Sequence, residues 1–276
     1  MNVLMKMNFW RWIILSGIVV ALVSSCFFVT RHFFRAAVVD AARQNDILRM
    51  EKLLRYGGNV FSINFYWNEN GDLLTPICYS VFRQKDYRVA KLLLEHAANP
   101  NLPLKSRTQI DNTFLFFEES LLSIAIDQMI SSHDSSREIG LITELLKHGA
   151  DPKLHFSVMP PLMRAIGSGD GKVIKMLVDY GADLNAAYDP NWIPRDIVPG
   201  PDPVFFDALD CALAAKKFDS EDSRYACVVL LFDHGYSLQA RLERKVKSDL
   251  LKRLTARHEQ SNPRLFKFMN DKLVEA

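Results

Sequence analysis

The chain has 276 residues, of which 49% are hydrophobic and 24% are charged, and these are ordinary values for a globular protein with a core of its own. Its formal net charge of +2 argues against the concentrated basic surface that is typical of nucleic-acid-binding proteins. None of its four cysteines forms a C-x-x-C pair, so zinc-site and thioredoxin-type functions have no support, and we expect no disulfide framework.

The first predicted element is a stretch over 12–30 that contains no charged residue and is bounded by Arg11 and Arg31. At about 1.5 Å per residue, a helix of this length measures roughly 28 Å, close to the hydrocarbon thickness of a bilayer. Tryptophans at its start suit the headgroup layer. We therefore expect a short basic tail over 1–11, a transmembrane anchor over 12–30, and a single-pass membrane protein.

The same stretch allows a second interpretation, because residues 23–26 (Val-Ser-Ser-Cys) are similar to a bacterial lipobox with Cys26 as the lipidated residue. Apolar residues continue over 27–29, where mature lipoproteins turn polar, and this favours the uncleaved anchor. Basic residues flank the stretch on both sides, so the positive-inside rule gives no clear orientation. A short basic tail usually stays inside and lipidation also exports the chain, so we expect the following domain to be periplasmic, anchored in a bacterial inner membrane.

One motif then recurs five times: a pair of apolar residues, a few further residues, and Gly-Ala-Asp or a related triplet. The glycine or alanine of each copy, called a terminator below, is Gly57, Ala97, Gly149, Gly181 or Gly235. A helical signature precedes the copies, most clearly over 75–80 (Thr-Pro-Ile-Cys-Tyr-Ser) and 160–166 (Pro-Pro-Leu-Met-Arg-Ala-Ile).

This pattern resembles the ankyrin repeat, a paired-helix unit of about 33 residues whose first helix begins T-P-L-H-x-A. The resemblance covers residues 36–240 and implies an all-α solenoid of about five helix-turn-helix repeats, with a C-terminal helical cap over 241–276. Leucine pairs should then face the neighbouring repeat, and the terminators should end the second helices in a left-handed conformation. Ala97 departs from the pattern and should lower stability slightly.

The terminators are unevenly spaced, and only the interval from Gly149 to Gly181 is close to a standard repeat. We place the extra residues in finger loops at about 60–73, 101–119 and 186–206, and in enlarged turns between helices at about 128–138 and 214–224. These finger loops carry many aromatic residues, which either fold back onto the repeats or present a binding surface.

Ankyrin-repeat proteins usually bind partners with their finger loops and first helices. The resemblance therefore implies a protein partner, and the partner-binding residues that we predict are Tyr66, Trp67, Phe116, Phe117, Tyr188 and Trp192.

No motif indicates catalysis, a metal, a cofactor or a small-molecule substrate. Residues 167–172 (Gly-Ser-Gly-Asp-Gly-Lys) lack phosphate-loop spacing and are predicted to be a turn between paired helices. His96, His148 and His234 recur near a helix C-terminus in separate repeats, which favours a structural role. The adjacent acids Glu118 and Glu119 are predicted to be solvated.

The sequence therefore predicts a non-enzymatic protein that binds another protein at a membrane surface and binds no nucleic acid. Two classes remain open. One is an inhibitor or immunity protein against a toxin or lytic enzyme. The other is a membrane-associated scaffold or assembly factor that recruits a soluble enzyme.

Overall fold

The computed structural model describes residues 24–27, 29–30, 33–57, 67–69, 72–83, 87–110, 113–132, 135–154, 156, 159–188, 206–243, 251–252 and 255–275. Most of the predicted anchor at 12–30, and the whole tail at 1–11, lie outside these residues. The described part of that stretch, 24–27 and 29–30, is helical. Among the described residues, no helix combines the length and the apolar character that crossing a bilayer requires.

The first helix pair consists of α1 (residues 33–44) and α2 (Ile47–Gly57). The carboxylate of Asp46 accepts a hydrogen bond from the backbone N–H of Arg49 at 3.0 Å, which satisfies one of the free N–H groups at the start of α2. The Arg49 guanidinium also lies 3.9 Å from the carboxylate of Asp40 on α1. The second of these contacts links α1 to the first turn of α2.

Further helix pairs follow along the chain, and in each the two helices pack against each other. The pairs are α3 (Pro76–Arg83) with α4 (Arg88–Glu95), α5 (Leu121–Ser131) with α6 (Ser136–Lys147), α7 (Pro161–Ser168) with α8 (Gly171–Asp179), and α9 (Ala208–Ala214) with α10 (Glu221–Asp233). The first helices contact one another in the order α3, α5, α7 and α9, while α2 contacts α4, α4 contacts α6, and α8 contacts α10. The chain is thus mostly helical, and its helix pairs stack side by side.

Small and branched side chains fill the space between the stacked helices, as the repeated motif predicts. The alanines at the close approach of paired helices are completely buried, and these are Ala41, Ala125, Ala165 and Ala212. The leucine pairs before the terminators are also buried, as at Leu93, Leu94, Leu145 and Leu146. Each apolar pair therefore contributes to a core that continues from one helix pair to the next.

Four terminators end their second helices in the left-handed conformation, as predicted, with φ angles of 85° at Gly149 and Gly181, 97° at Gly235 and 62° at Ala97. The residue after each of these four donates its N–H to a carbonyl five residues earlier, for example Ala150 to Leu145 at 2.9 Å. This closes the helix end and satisfies carbonyls that have no partner within the helix. Gly57 is the last residue of α2.

The expectation of an all-α fold is wrong for the finger segments, because their described residues pair as antiparallel β-strands. Strands β1 (Trp67–Glu69), β2 (Asp72–Leu74), β3 (Leu104–Ile110) and β4 (Thr113–Glu119) make an antiparallel sheet in that order. The pairing of Leu73 with Lys105 joins the two hairpins. A second, two-stranded sheet pairs β5 (Ala187–Tyr188) with β6 (Phe206–Asp207). Aromatic residues and threonine, which are strand formers, account for β4.

The predicted enlarged turn at 128–138 is also wrong, because most of its residues are helical. Helix α5 continues to Ser131 and α6 begins at Ser136, so these helices have 11 and 12 residues, against 8 in α3 and α4. The insertion lengthens the two helices instead of looping out. The other predicted turn, at 214–224, contains the connection over 215–220 between α9 and α10.

The C-terminal segment contains α11 (Leu238–Glu243) and α12 (Pro263–Glu275). Phe268 of α12 makes edge-to-face contacts with Tyr225 and Phe232 of α10, at centroid distances of 5.9 and 5.5 Å. His258 bonds through Nε2 to the carbonyl of Leu213, 3.0 Å away at the end of α9. The segment thus lies against the last helix pair.

A buried ionic cluster ties α11 to the start of α9. Arg241 donates to Asp207 at 2.7 Å and to both carboxylate oxygens of Asp210 at 2.9 Å. Tyr236 donates its hydroxyl to Asp207 at 2.7 Å. The side chains of Arg241, Asp207 and Asp210 are 2%, 5% and 0% exposed, so two carboxylates share one guanidinium away from water.

Candidate functional site

The side of the molecule that carries the fingers contains a groove of about 430 Å³, called the finger groove here. It lies where the strands β3 and β4 meet the first helices α3 and α5. Its apolar lining comes from Phe82, Leu104 and Ile124, and its polar lining from Glu119, Asp127, Gln128 and Ser131. A mixed lining of this kind suits recognition of another molecule.

Arg164 of α7 connects three elements at the rim of the finger groove. Its guanidinium donates to Glu119 at the end of β4, at 2.9 Å, and to Asp127 on α5. Its Nε also donates to the carbonyl of Met159 at 3.0 Å. The Arg164 side chain is 12% exposed and that of Asp127 is 51% exposed, so the cluster has a buried cation and an accessible anion.

The electrostatics of this cluster leave excess negative charge facing the groove, because two carboxylates share one arginine. Burial raises the pKa of the Glu119 carboxyl, Arg164 opposes that rise, and Asp127 adds to it. Burial likewise raises the pKa of Asp127, against the influence of Arg164. The prediction that Glu118 and Glu119 are solvated is wrong for Glu119, while Glu118 pairs with Lys105 at 2.8 Å and is 40% exposed.

The structure places four of the six predicted partner-binding residues on strands. Trp67 lies in β1, where it pairs with Leu74, and Phe116 and Phe117 lie in β4. These three therefore belong to one sheet. Tyr188 belongs to the other sheet, in β5. Tyr66 and Trp192 lie outside the described residues.

A second groove, of about 580 Å³, lies on the opposite helices, between α4 and α6. We call it the outer groove. It is lined by Tyr87, Arg88, Lys91, Arg137, Gly140, Leu141 and Glu144. Among the described residues, its lining includes no strand. The hydroxyl of Tyr87, at the start of α4, lies 3.2 Å from Gln128 on α5 and 3.3 Å from Glu138 on α6. We take the finger groove as the stronger candidate because it lies on the side of the fingers and carries the Arg164 cluster at its rim.

The glycine-rich segment at 167–172 is predicted to be a turn, but only Gly169 and Asp170 form the turn, and the other residues belong to the end of α7 and the start of α8. Asp170 precedes α8, and its carboxylate accepts hydrogen bonds from the N–H groups of Lys172 and Val173 at 3.0 and 3.1 Å. These are the donors that a phosphate group would need at a helix N-terminus. The protein's own side chain therefore occupies that position.

The three repeated histidines lie at the C-terminal ends of α4, α6 and α10, as predicted. His96 and His234 bond through Nδ1 to the carbonyls of Leu92 and Leu230, at 3.0 and 2.9 Å. In the described part of the chain, no group of three or more metal-ligating side chains lies together. The backbone contacts give His96 and His234 a structural role, and His148 lies 4.0 Å from Glu144 on the same helix.

The described cysteines are thiols without a disulfide partner. Burial raises the pKa of Cys78 to about 11 and the pKa values of Cys211 and Cys227 to about 12. Such thiols stay protonated at neutral pH, and only the thiolate is a strong nucleophile. Cys26 is exposed on the helical residues 24–27.

Residues 159–186, which contain α7 and α8, match the family model of the ankyrin repeat. No curated protein matches the chain. The family match supports an ankyrin-repeat protein, and ankyrin repeats are typically non-enzymatic modules for protein–protein interaction. Sequence reasoning did not select Asp127 or Arg164. Arg164 lies inside the signature at 160–166 that is similar to T-P-L-H-x-A. The sequence signal that could have identified it is a charged residue among buried apolar residues.

Proposed function

We propose that this protein is a non-enzymatic ankyrin-repeat protein, a solenoid of five repeats over 36–240, that binds one specific protein partner through its finger side. The observation that supports this best is the Arg164 cluster at the rim of the finger groove. Strand β4 and the helices α5 and α7, which belong to two different helix pairs, hold an accessible carboxylate, Asp127, beside an apolar wall. An interface with an apolar centre and a polar rim fits this arrangement.

The proposal also includes the aromatic positions of the fingers. Trp67, Phe116 and Phe117 share the sheet that borders the groove, and Tyr188 lies on the next finger. Tyr66 and Trp192 are added from the sequence alone. Aromatic anchors supply much of the binding energy at protein interfaces.

We further propose that residues 12–30 anchor the protein in a bacterial inner membrane, after a tail over 1–11, with the repeats in the periplasm and residues 241–276 as a cap. The support is the uncharged stretch in the sequence, and the exposure of two helical residues, Phe27 within that stretch at 49% and Phe33 just after it at 69%. Such apolar side chains suit a lipid environment.

Within this frame, we favour an inhibitor or immunity protein against a toxin or lytic enzyme acting at that membrane. The fingers are long and of unequal length, and the first two are joined by the pairing of Leu73 with Lys105. An irregular surface of this kind suits one specific partner better than many different ones. A scaffold that recruits a soluble enzyme would be indicated if the partner stayed active when bound.

The test begins with cross-linking and mass spectrometry on the full-length chain in its membrane, which identifies the partner. Affinity is then measured for Ser131→Arg, which places a long side chain in the finger groove, and for Arg137→Glu in the outer groove. We expect at least a tenfold loss of affinity for the first and little change for the second. Equal affinities of Ser131→Arg and the wild type would rule out the finger groove. A loss confined to Arg137→Glu would instead identify the outer groove as the binding surface.

A further inference from the structure

Strand β4 occupies one edge of the four-stranded sheet, and its composition is unusual for an edge. Its first five residues, 113–117 (Thr-Phe-Leu-Phe-Phe), contain neither charge nor proline. The neighbouring central strand β3 carries Lys105 and Arg107. Edge strands are normally protected by charged residues, proline or bulges, because an exposed apolar edge is a template for another strand. Here the apolar strand is outside and the polar strand is inside.

The register of the hairpin tells which backbone groups of β4 face away from β3. Ile110 pairs with Thr113, so two residues connect the strands. The pair that flanks a two-residue loop is joined by the hydrogen bond of the turn. Hydrogen-bonded and non-hydrogen-bonded pairs alternate along an antiparallel ladder. The backbone N–H and C=O groups of Phe114 and Phe116 therefore face the outer edge, whereas those of Leu115 and Phe117 face β3.

Among the described residues, β4 pairs with β3 and with no other strand. Its last residue, Glu119, also lines the finger groove. Strand β4 therefore ends at the finger groove.

We propose that the outer edge of β4 binds an extended segment of the partner protein, which joins the sheet as a further strand next to β4. This inference rests on the protein-binding function proposed above and specifies the form of the partner. Main-chain hydrogen bonds supply affinity in this mode, and alternate side chains supply specificity. A matching segment has about seven residues, is rich in β-branched and aromatic residues, and carries no charge along its centre.

The test uses a displayed library of random twelve-residue peptides selected on the full-length chain in detergent. We expect the selected peptides to be rich in valine, isoleucine, threonine and aromatic residues. The best peptide is then made in two N-methylated forms, one methylated at odd positions and one at even positions. Only one edge of an added strand faces β4, so one form should bind at least tenfold more weakly and the other should bind normally.

Two variants of one residue separate the backbone from the side chain. Phe116→Ala removes the ring and keeps the N–H, while Phe116→Pro also removes the N–H, at an outward position where a sheet tolerates proline. We expect Phe116→Pro to bind the selected peptide at least tenfold more weakly than Phe116→Ala. Circular dichroism and the unfolding midpoint of both variants verify that the fold is retained.

Equal affinities of Phe116→Pro and Phe116→Ala, equal binding of the two methylated forms, or no selected peptide would each overturn the edge assignment. If the wild-type protein has the mass of a dimer in solution and Phe116→Pro is a monomer, the occupant of the edge is a second copy of this chain and not a partner protein. These results leave the wider protein-binding function standing. That function fails separately, if cross-linking finds no partner.

Discussion

Asn101 and Asp151 lie fifty residues apart in the chain, and one side chain joins the loops that contain them. The Asn101 carboxamide accepts a hydrogen bond from the N–H of Asp151 at 2.8 Å and donates to the carbonyl of Gly149 at 2.9 Å. Asn185 repeats the arrangement two units later, where it accepts from the N–H of Ser237 at 3.0 Å. Both asparagines stand four residues after a terminator, where the intervening unit has Lys153.

We expect Asn101→Ala to destabilise the protein by about 1–2 kcal/mol, since it removes two inter-repeat hydrogen bonds. Hydrogen exchange at the Asp151 amide should accelerate, because that N–H loses its acceptor. The comparison variant is Asn99→Ala, which removes the hydrogen bond to the N–H of Asn101 and keeps the Asn101 side chain. Urea unfolding and amide exchange measure both variants, and unchanged protection of Asp151 in Asn101→Ala would contradict the bridging role.

Ala97 adopts a left-handed conformation that is strained for a residue with a side chain. We expect Ala97→Gly to stabilise the protein by about 0.5–1 kcal/mol, because relief of roughly 1–2 kcal/mol of strain exceeds the added freedom of glycine in the unfolded chain. Gly149→Ala is the mirror experiment and should destabilise by a similar amount, since a Cβ there meets no atom within 4 Å and only the backbone is strained. Thermal unfolding measures both, and a loss of stability in Ala97→Gly would be the contrary result.

Gly169 lies against the neighbouring turn between α9 and α10. A Cβ at this position would be 2.4 Å from the carbonyl oxygen of Lys217. We expect Gly169→Ala to destabilise the protein by roughly 2–4 kcal/mol, because the backbone must shift and φ is also positive. Gly171→Ala is the matched control, since its Cβ would meet nothing within 4 Å, and it should unfold at or above the wild-type urea concentration.

The buried cluster around Arg241 should give a pH-dependent stability. We expect Arg241→Met to destabilise by about 3–5 kcal/mol at pH 7, because it leaves Asp207 and Asp210 buried without a cation. Burial already raises the pKa of Asp210 in the wild type, and loss of Arg241 should raise it further. A carboxyl with a raised pKa favours the folded state at low pH and disfavours it as pH rises through that pKa.

The defect of Arg241→Met should therefore shrink between pH 7 and pH 5. Urea unfolding at both values tests this, with the double variant Arg241→Met/Asp210→Ala as the control, because removal of one carboxylate should reduce the pH dependence. An equal defect at both pH values would show that lost packing, and not charge, explains the destabilisation.

The helix pairs could be predicted because their signals are local. The apolar pair followed by Gly-Ala-Asp specifies a buried face and a helix end within a few residues, and Gly149 and Gly181 behave accordingly. The hairpin of β3 and β4 had a weaker signal, since Asp111 and Asn112 are turn-forming residues between strand formers. Residues 101–119 are in excess of the length of a standard repeat, and for that reason the sequence predicts a loop there.

The site could not be predicted in the same way, because its contacts join residues distant in the chain. Arg164 reaches Asp127 and Glu119 across 37 and 45 residues, and no periodic pattern relates the three. Arg241 likewise reaches Asp210 from outside the repeated motif. Periodicity identifies which faces are buried, but it does not identify which charged groups meet at their edges.

The pairing of Leu73 with Lys105 has a mechanical consequence for the stack of helices. This pairing joins the first two fingers into one β-sheet. Tension along the stack must therefore break the backbone hydrogen bonds between β2 and β3 before the helix pairs α3–α4 and α5–α6 can separate. Among the described residues, α5 and α7 are joined instead by side-chain packing and by the ion pair of Arg164 with Asp127. Under load, the stack of helices should therefore separate first between α5 and α7, next to the finger groove.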